Sequence, residues 1–285
     1  MNHQKKPDWL KVPPPWGENF SKTRKIISEN NLETVCKNAN CPNIGECFGS
    51  GTATFLIMGN VCTRNCRFCN IATGKPIPLD SKEPKKIARA VQLLKLSYTV
   101  VTSVTRDDLS DGGAGHFAQT IRSIRELNPD CNIEVLVPDF NGNLDSVKTV
   151  LDANPDVFNH NVETVPRLYT QMRPSADYKR SLGILWYAAS LRPDIPVKSG
   201  LMTGAGETIP ELRQVFADLK SAGVRILTIG QYLPPSRNHH PLDRYYSPDE
   251  FASLREAAMN EGIERVISSP LARSSYHAKE VKSGL

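Results

Sequence analysis

Cys62-Thr63-Arg64-Asn65-Cys66-Arg67-Phe68-Cys69 follows closely on the apolar run Thr54-Phe55-Leu56-Ile57-Met58-Gly59. Three thiols within eight residues, placed where a strand gives way to a loop, are what a chain needs to wrap a soft metal centre at the mouth of a barrel. An iron of a four-iron cluster held by only three thiolates stays open to a further ligand. The spacing therefore suggests a reactive cluster more than a saturated electron carrier. Zinc is the competing reading, because Cys66-x-x-Cys69 alone fits either metal.

Around this stretch the pattern is regular. Apolar runs at about 53–58, 98–104, 133–140, 157–163, 197–204 and 226–233 have strand length and are rich in Val, Ile, Leu, Phe and Thr. Each is followed by a helical stretch, near 83–96, 114–127, 144–153, 178–191, 208–221 and 248–261. Thr208-Ile209-Pro210-Glu211 and Ser247-Pro248-Asp249-Glu250 both match the capping box, the second with Pro at the first helical position. Gly223 and Gly262 stand just past the ends of the last two helices. Six strand-then-helix units imply parallel strands joined by right-handed crossovers, hence a barrel or a doubly wound sheet. The expected fold is α/β, a partial (β/α)6 TIM-type barrel, open because six units fall short of the eight that close a full one. The expected organisation is an N-terminal extension over 1–51, the barrel over 52–264 and a C-terminal extension over 265–285.

With 285 residues, 39% hydrophobic and 23% charged, the chain can bury one large core. No run approaches the roughly 18 uninterrupted apolar residues of a membrane span. The segment Met1-Asn2-His3-Gln4-Lys5-Lys6-Pro7 lacks the apolar core of a secretory signal and the Arg- and Ser-rich character of a transit peptide. A cytoplasmic protein with no membrane association is therefore expected. The net charge of +5 is mildly basic, but Lys and Arg are scattered and not packed in blocks. That favours solvated faces over nucleic acid and leaves room for an acidic protein partner. Seven cysteines in a reducing compartment rarely mean disulfides. Cys131, alone before an apolar strand, reads as a small buried filler.

The N-terminal extension interleaves Pro7, Pro13, Pro14 and Pro15 with Trp9, Leu10, Val12 and Trp16, an extended segment that lays aromatic side chains on a neighbouring surface. A second thiol triplet follows, Cys36, Cys41 and Cys47. A zinc knuckle would need CxxC pairs and a local fourth Cys or His. Neither is present.

In either candidate fold the chemistry belongs at the carboxyl ends of the strands. The second strand ends in Thr102-Ser103-Val104-Thr105-Arg106-Asp107-Asp108, followed by Asp111-Gly112-Gly113. Glycines beside acidic residues let backbone approach a ligand and can receive an ammonium group, although the same residues make an ordinary turn. The fourth strand reads Phe158-Asn159-His160-Asn161-Val162-Glu163, polar where a buried strand should be apolar. The fifth carries Lys198 and the sixth Gly230-Gln231-Tyr232-Leu233. A lysine inside a strand is either a satisfied ion-pair partner or a holder of a carboxylate.

The CxxxCxxC of Cys62, Cys66 and Cys69 at the end of a first barrel strand resembles the radical S-adenosylmethionine (SAM) superfamily, and the upstream CxxxxCxxxxxC narrows the resemblance to the lipoyl synthase family. Thr52-Ala53-Thr54-Phe55, the run from Thr102 to Leu109, Val157-Phe158-Asn159-His160-Asn161, Lys198-Ser199-Gly200-Leu201-Met202, Gly230-Gln231-Tyr232-Leu233 and Arg273-Ser274-Ser275-Tyr276 all resemble that family's signatures.

The resemblance implies two [4Fe-4S] clusters and SAM as cofactors. One cluster, on Cys62, Cys66 and Cys69, would bind SAM at its open iron and split it to methionine and a 5'-deoxyadenosyl radical. That radical would take hydrogen from C6 and C8 of an octanoyl chain amide-linked to a lysine of a lipoyl carrier domain. The cluster on Cys36, Cys41 and Cys47, with Ser275 or alternatively Ser274 as fourth ligand, would supply the inserted sulfur. The activity implied is that of a radical SAM sulfurtransferase. Thr102, Ser103, Asn161, Glu163, Lys198, Gln231 and Arg273 are the expected SAM contacts, and Leu201, Met202, Tyr232 and Leu233 the expected lining of an octanoyl slot. Implied partners are the carrier domain of a 2-oxoacid dehydrogenase E2 subunit or the glycine-cleavage H protein, an electron donor such as ferredoxin or flavodoxin, and an iron–sulfur cluster carrier. A methylthiotransferase, a biotin-synthase-like sulfur inserter and a non-catalytic metal scaffold are the rival readings.

Overall fold

The computed structural model of the chain describes residues 5–276; residues 1–4 and 277–285, the outer parts of the two expected extensions, lie outside the described residues. The N-terminal extension forms α1 (Glu18–Glu29), β1 (Glu33–Thr34), α2 (Val35–Asn38) and α3 (Ile44–Gly49). The barrel begins with β2 (Thr54–Ile57), and a small ribbon, β3 (Val61–Cys62) and β4 (Ala72–Thr73), brackets the cysteine loop. Helix and strand then alternate: α4 (Glu83–Leu93), β5 (Tyr98–Ser103), α5 (Ala114–Leu127), β6 (Asn132–Leu136), α6 (Leu144–Leu151) and β7 (Val157–Asn159). A short α7 (Tyr169–Met172) precedes α8 (Tyr178–Leu191), β8 (Val197–Thr203), α9 (Ile209–Ser221), β9 (Ile226–Gln231), α10 (Pro248–Asn260) and β10 (Arg265–Ser269).

The main sheet runs β1-β2-β5-β6-β7-β8-β9-β10, and every pairing from β2 onwards is parallel. Spatial order that follows chain order is the winding of a barrel wall, whereas a doubly wound sheet reverses direction at a switch point. The wall is open. Strand β1 covers one edge antiparallel to β2, and β10 stands at the other.

All the expected strand–helix units are present, and the sheet extends past them. Arg265–Ser269 pair with β9, from Arg265 opposite Ile226 to Ser269 opposite Gly230, so the wall ends at Ser269 and not at residue 264. This strand was illegible from pattern because only Val266 in it is fully buried. By contrast, β2 and β9 are buried at every residue and read as continuous apolar runs. Helix α5 docks through Phe117, Ile121 and Ile124, spaced along one stripe and removed from solvent. Both capping boxes form, at Thr208/Glu211 and Ser247/Glu250. Gly223 and Gly262 take φ of 79° and 94° just past α9 and α10, a left-handed conformation that a Cβ would penalise. No described helix is long and apolar enough to cross a membrane.

Inside the barrel one charge pair is enclosed. Glu134 of β6 and Lys198 of β8, each 1% exposed, meet at 2.9 and 3.1 Å. Tyr98 and Asn159 also donate to the Glu134 carboxylate, at 2.6 and 2.9 Å. Enclosed ions are tolerated when hydrogen bonds satisfy both partners in this way. Lys198→Met would leave Glu134 buried without a counter-charge and is expected to cost about 3–5 kcal/mol in urea unfolding of the apo chain, with Glu134→Gln in the same molecule restoring most of it. Equal losses in the single and double variants would show that the pair is not the source.

Candidate functional site

The carboxyl ends of the strands, the cysteine loop and both extensions enclose a cavity of ≈ 520 Å³. Cys36 and Cys41 from the N-terminal extension line it together with Cys62, Cys66 and Cys69. Cys47 opens on a second depression, of ≈ 410 Å³, between α3 and the turn before β5, and Ser275 lines both spaces. All of these thiols are free. Among the described residues no three His, Cys, Asp or Glu side chains gather around one point as a mononuclear metal site requires.

The loop that carries Cys62, Cys66 and Cys69 is fastened to its neighbours. The guanidinium of Arg64, 4% exposed, donates to both oxygens of Asp107 at 2.7 and 2.8 Å, to Asn141 Oδ1 at 2.7 Å, and pairs with Asp139 at 2.7 Å. Burial opposes its charge, but the Asp107 and Asp139 carboxylates outweigh that and hold its pKa above the ordinary value. On the far side of the loop, Arg67 N–H donates to the Met172 carbonyl and His240 N–H to the Arg67 carbonyl, both at 2.8 Å. The backbone N–H groups of Arg64 and Thr105 point at Cys62 Sγ from 3.4 and 3.3 Å. Such N–H···S contacts tune a cluster bound to the sulfur.

The N-terminal triad is held where the two extensions meet. Asn43 Nδ2 donates to the Leu271 carbonyl at 2.8 Å, Tyr276 Oη to Glu46 at 2.7 Å, and Asn70 Nδ2 reaches back to the Asn38 carbonyl at 3.1 Å. Burial pushes the thiol of Cys36 up to about 11 and those of Cys47 and Cys69 up to about 12. In the free chain they are protonated thiols, and a soft metal centre is what turns such groups into thiolate ligands.

Of the polar residues expected to face a cofactor, Thr102, Ser103, Asn161, Glu163 and Arg273 line the cavity. Lys198 and Gln231 do not. Lys198 is spent on Glu134 and on the Ser274 carbonyl, 2.6 Å away. Gln231 is a structural peg: its Nε2 lies 3.1 Å from the carbonyls of Thr203, Tyr232 and Arg244, and its Oε1 accepts from Tyr246 N–H at 2.8 Å. Thr102 also gives its hydroxyl proton to the Leu136 carbonyl, at 2.8 Å, and so faces a ligand only as an acceptor.

Three buried polar atoms in the cavity wall have no protein partner: Ser103 Oγ, Asn161 Oδ1 and Arg173 Nε. A bound zwitterion with donors and acceptors of its own would satisfy them. Glu163 stands among them with φ of 67°, a strained backbone for a residue with a Cβ, and burial raises its pKa. Arg173 was not anticipated. It follows α7, 8% exposed, with Nη1 donating to the carbonyls of Asn161 and Val162 and to Tyr169 Oη. Its position before Pro174, which ends the helical turn, was the one available signal.

Comparison with known proteins places this geometry. The profile of the Radical SAM superfamily matches residues 56–219, and that of the N-terminal domain of lipoyl synthase matches residues 1–41. The chain is 52% identical over 277 residues to a lipoyl synthase of Roseiflexus sp. (strain RS-1), covering 97% of this chain and 92% of the relative. It is 52% identical over 280 residues to that of Caldicellulosiruptor saccharolyticus, covering 98% of each. Among solved structures, HydG, a maturase of the [FeFe]-hydrogenase, superposes with a TM-score of 0.61 at 15% identity, over 93% of this chain and 67% of that one. Streptococcus suis SuiB bound to S-adenosylmethionine gives 0.58 at 9% identity, over 79% and 53%. These two likenesses show the fold.

His160, in the same wall, sets a pH dependence. Its ring lies 2.8 Å from the Val137 carbonyl and 3.1 Å from Ser181 Oγ, and burial pushes its pKa down to about 4 from 6.5. The folded state keeps it neutral while the unfolded chain takes up the proton. Stability is therefore expected to fall as pH drops through that window, by up to about 3 kcal/mol, and to stop responding to this group below it. Urea unfolding of the apo chain across the window measures the slope, and His160→Gln should flatten it; an unchanged slope would assign it elsewhere.

Proposed function

The chain belongs to the lipoyl synthase family of the radical SAM superfamily, and from that premise we propose a division of labour between its two thiol triads. Membership makes it a sulfurtransferase of the radical SAM type and implies an iron–sulfur cluster and S-adenosylmethionine. In the reading proposed, Cys62, Cys66 and Cys69 hold one [4Fe-4S] cluster beside the SAM site. Cys36, Cys41, Cys47 and Ser275 hold a second. When bound, the first would supply the electron, SAM the radical fragment that accepts hydrogen from the unactivated carbons C6 and C8 of an octanoyl chain, and the second the sulfur.

The observation that carries this reading is that thiols of both triads line one shared cleft. Around that space the side chains have separable tasks. Ser103, Asn161 and Glu163 offer oxygen acceptors to an ammonium or ribose group, and Arg173 and Arg273 offer guanidinium donors to a carboxylate. Leu201, Met202, Tyr232 and Leu233 give the same cavity an apolar flank suited to a hydrocarbon chain. The Tyr232 hydroxyl is turned onto the His240 carbonyl at 2.6 Å, so its ring presents an apolar face. An apolar flank keeps water and adventitious hydrogen donors from the reacting carbons on that side of the cleft.

Ser275 is favoured over Ser274 as fourth ligand because Ser274 Oγ is already engaged by Asn161, at 2.7 Å, whereas Ser275 opens on both spaces beside the thiols. A hard oxygen is a poor match for a soft iron–sulfur centre, which suits a ligand that must let go. The octanoyl group arrives on a protein, the lipoyl carrier domain of an E2 subunit or an H protein. Ferredoxin or flavodoxin and an iron–sulfur carrier complete the partners, and the net charge of +5 favours acidic ones. Free thiols throughout the chain fit work in the reducing cytoplasm.

The test is Cys36, Cys41 and Cys47 replaced together by Ala, with SAM, reductant and octanoylated carrier supplied. 5'-Deoxyadenosine formation is expected to continue while lipoyl product disappears. Equal loss of both would mean that the N-terminal triad is structural or an electron relay.

A further inference from the structure

The turn that carries Ser275 is gripped at the residue before it. Lys198 Nζ, 1% exposed inside the barrel, donates to the Ser274 carbonyl at 2.6 Å, and Asn161 Nδ2 donates to Ser274 Oγ at 2.7 Å. The wall is shaped to receive this turn. A Cβ on Gly200 of β8 would lie 3.0 Å from Ser274 Oγ and 2.8 Å from Asn161 Oδ1, and one on Gly230 of β9 would collide with the Ala272 carbonyl. Bare backbone at these two strand positions lets a segment from outside the sheet enter the barrel.

We propose that Ser274 is a positioning residue, clamped by Lys198 and Asn161, that fixes where Ser275 meets the second cluster and how readily it leaves. The inference rests on the Ser275 assignment above. A buried ion pair is seldom the most stable filling for a core, so its retention calls for another role. Here the ammonium spends its remaining N–H on a backbone carbonyl of the turn, which Met or Leu at position 198 would leave without a donor. Asn161 extends the clamp to the cofactor side, since the same amide that holds Ser274 lies 3.1 Å from Glu163 Oε1. Ser274 is held through both its hydroxyl, which accepts from Asn161, and its carbonyl, which accepts from Lys198, so the turn that presents Ser275 is fixed at the residue before it.

The measurement is exchange of cluster iron with added 57Fe(II), followed by Mössbauer spectroscopy. It uses the full chain bearing Cys62, Cys66 and Cys69→Ala, so that only the N-terminal cluster remains. Ser274→Ala is compared with the Lys198→Met/Glu134→Gln pair, which leaves no unpaired charge in the barrel, and with Ser275→Ala; apo unfolding midpoints check that each folds. Groups that orient a metal ligand typically affect metal affinity by about 10–100-fold, so exchange at the oxygen-bound iron should be accelerated about tenfold or more in both clamp variants. Acceleration in Ser275→Ala but not in either clamp variant would overturn this inference and leave the ligand assignment standing. No acceleration in any of the three would overturn the ligand assignment and this inference with it.

Discussion

A parallel sheet that stops short of closing leaves unpaired backbone groups along two edges, and such edges must be covered. In this chain the segments at the two edges are also those that lead into the proposed cluster ligands. Strand β1 pairs antiparallel with β2 at one edge, and the residues after it carry Cys36, Cys41 and Cys47. Strand β10 lies at the other edge, and the turn after it carries Ser275. The two meet through Asn43 and Leu271 and through Glu46 and Tyr276. The second thiol triad thus stands where the segment after β1 meets the turn after β10. Anything that loosens either edge strand loosens the site as well.

The mouth of the barrel is also balanced in charge. Loading the thiol triads converts neutral groups into anions in a partly enclosed space, which is unfavourable without nearby cations. Burial raises the pKa of Cys66 and Cys41, but Arg173 and Arg64 act against it at Cys66, and Arg273 acts against it at Cys41. Each triad is therefore faced by a guanidinium, a group that keeps its charge when buried where a lysine would tend to lose it.

The fold was readable because its signals are local and repeated: strand-length apolar runs, capping boxes and terminal glycines all report on a few neighbouring residues. Strand β10 is hard to read because it is mostly polar and only Val266 in it is fully buried, and its pairing partner β9 is distant in sequence. The cysteines were readable from spacing. The polar contacts were less so, because sequence gives a residue's place along a strand but not its depth in the barrel. Lys198 is the second residue of β8, well below the mouth, and its level is that of Glu134. Gln231 does end its strand, yet the chain that follows folds back and claims its amide. Arg173 reaches the cavity from a loop, and loop geometry is set by contacts distant in sequence.

The two triads differ in how firmly the chain holds them, and the difference suits a lasting centre beside an expendable one. The loop bearing Cys62 is bolted by a buried guanidinium to two carboxylates at the ends of neighbouring strands, and dismantling it would expose charges that have no other complete set of partners. Cys36 and Cys47 sit instead on helices of four and six residues, lengths that have little stability of their own. Their position depends on packing against α1 and the core through Cys36 and Phe48, on Thr23 Oγ1 donating to the Phe48 carbonyl at 3.0 Å, and on hydrogen bonds to the turn after β10. The link from Asn43 and Glu46 to the turn after β10 is made of single hydrogen bonds, at Leu271 and Tyr276. The sulfur-donating role proposed above for the N-terminal triad suits such a seam, where the ligands come from segments outside the parallel strands that position the rest of the site.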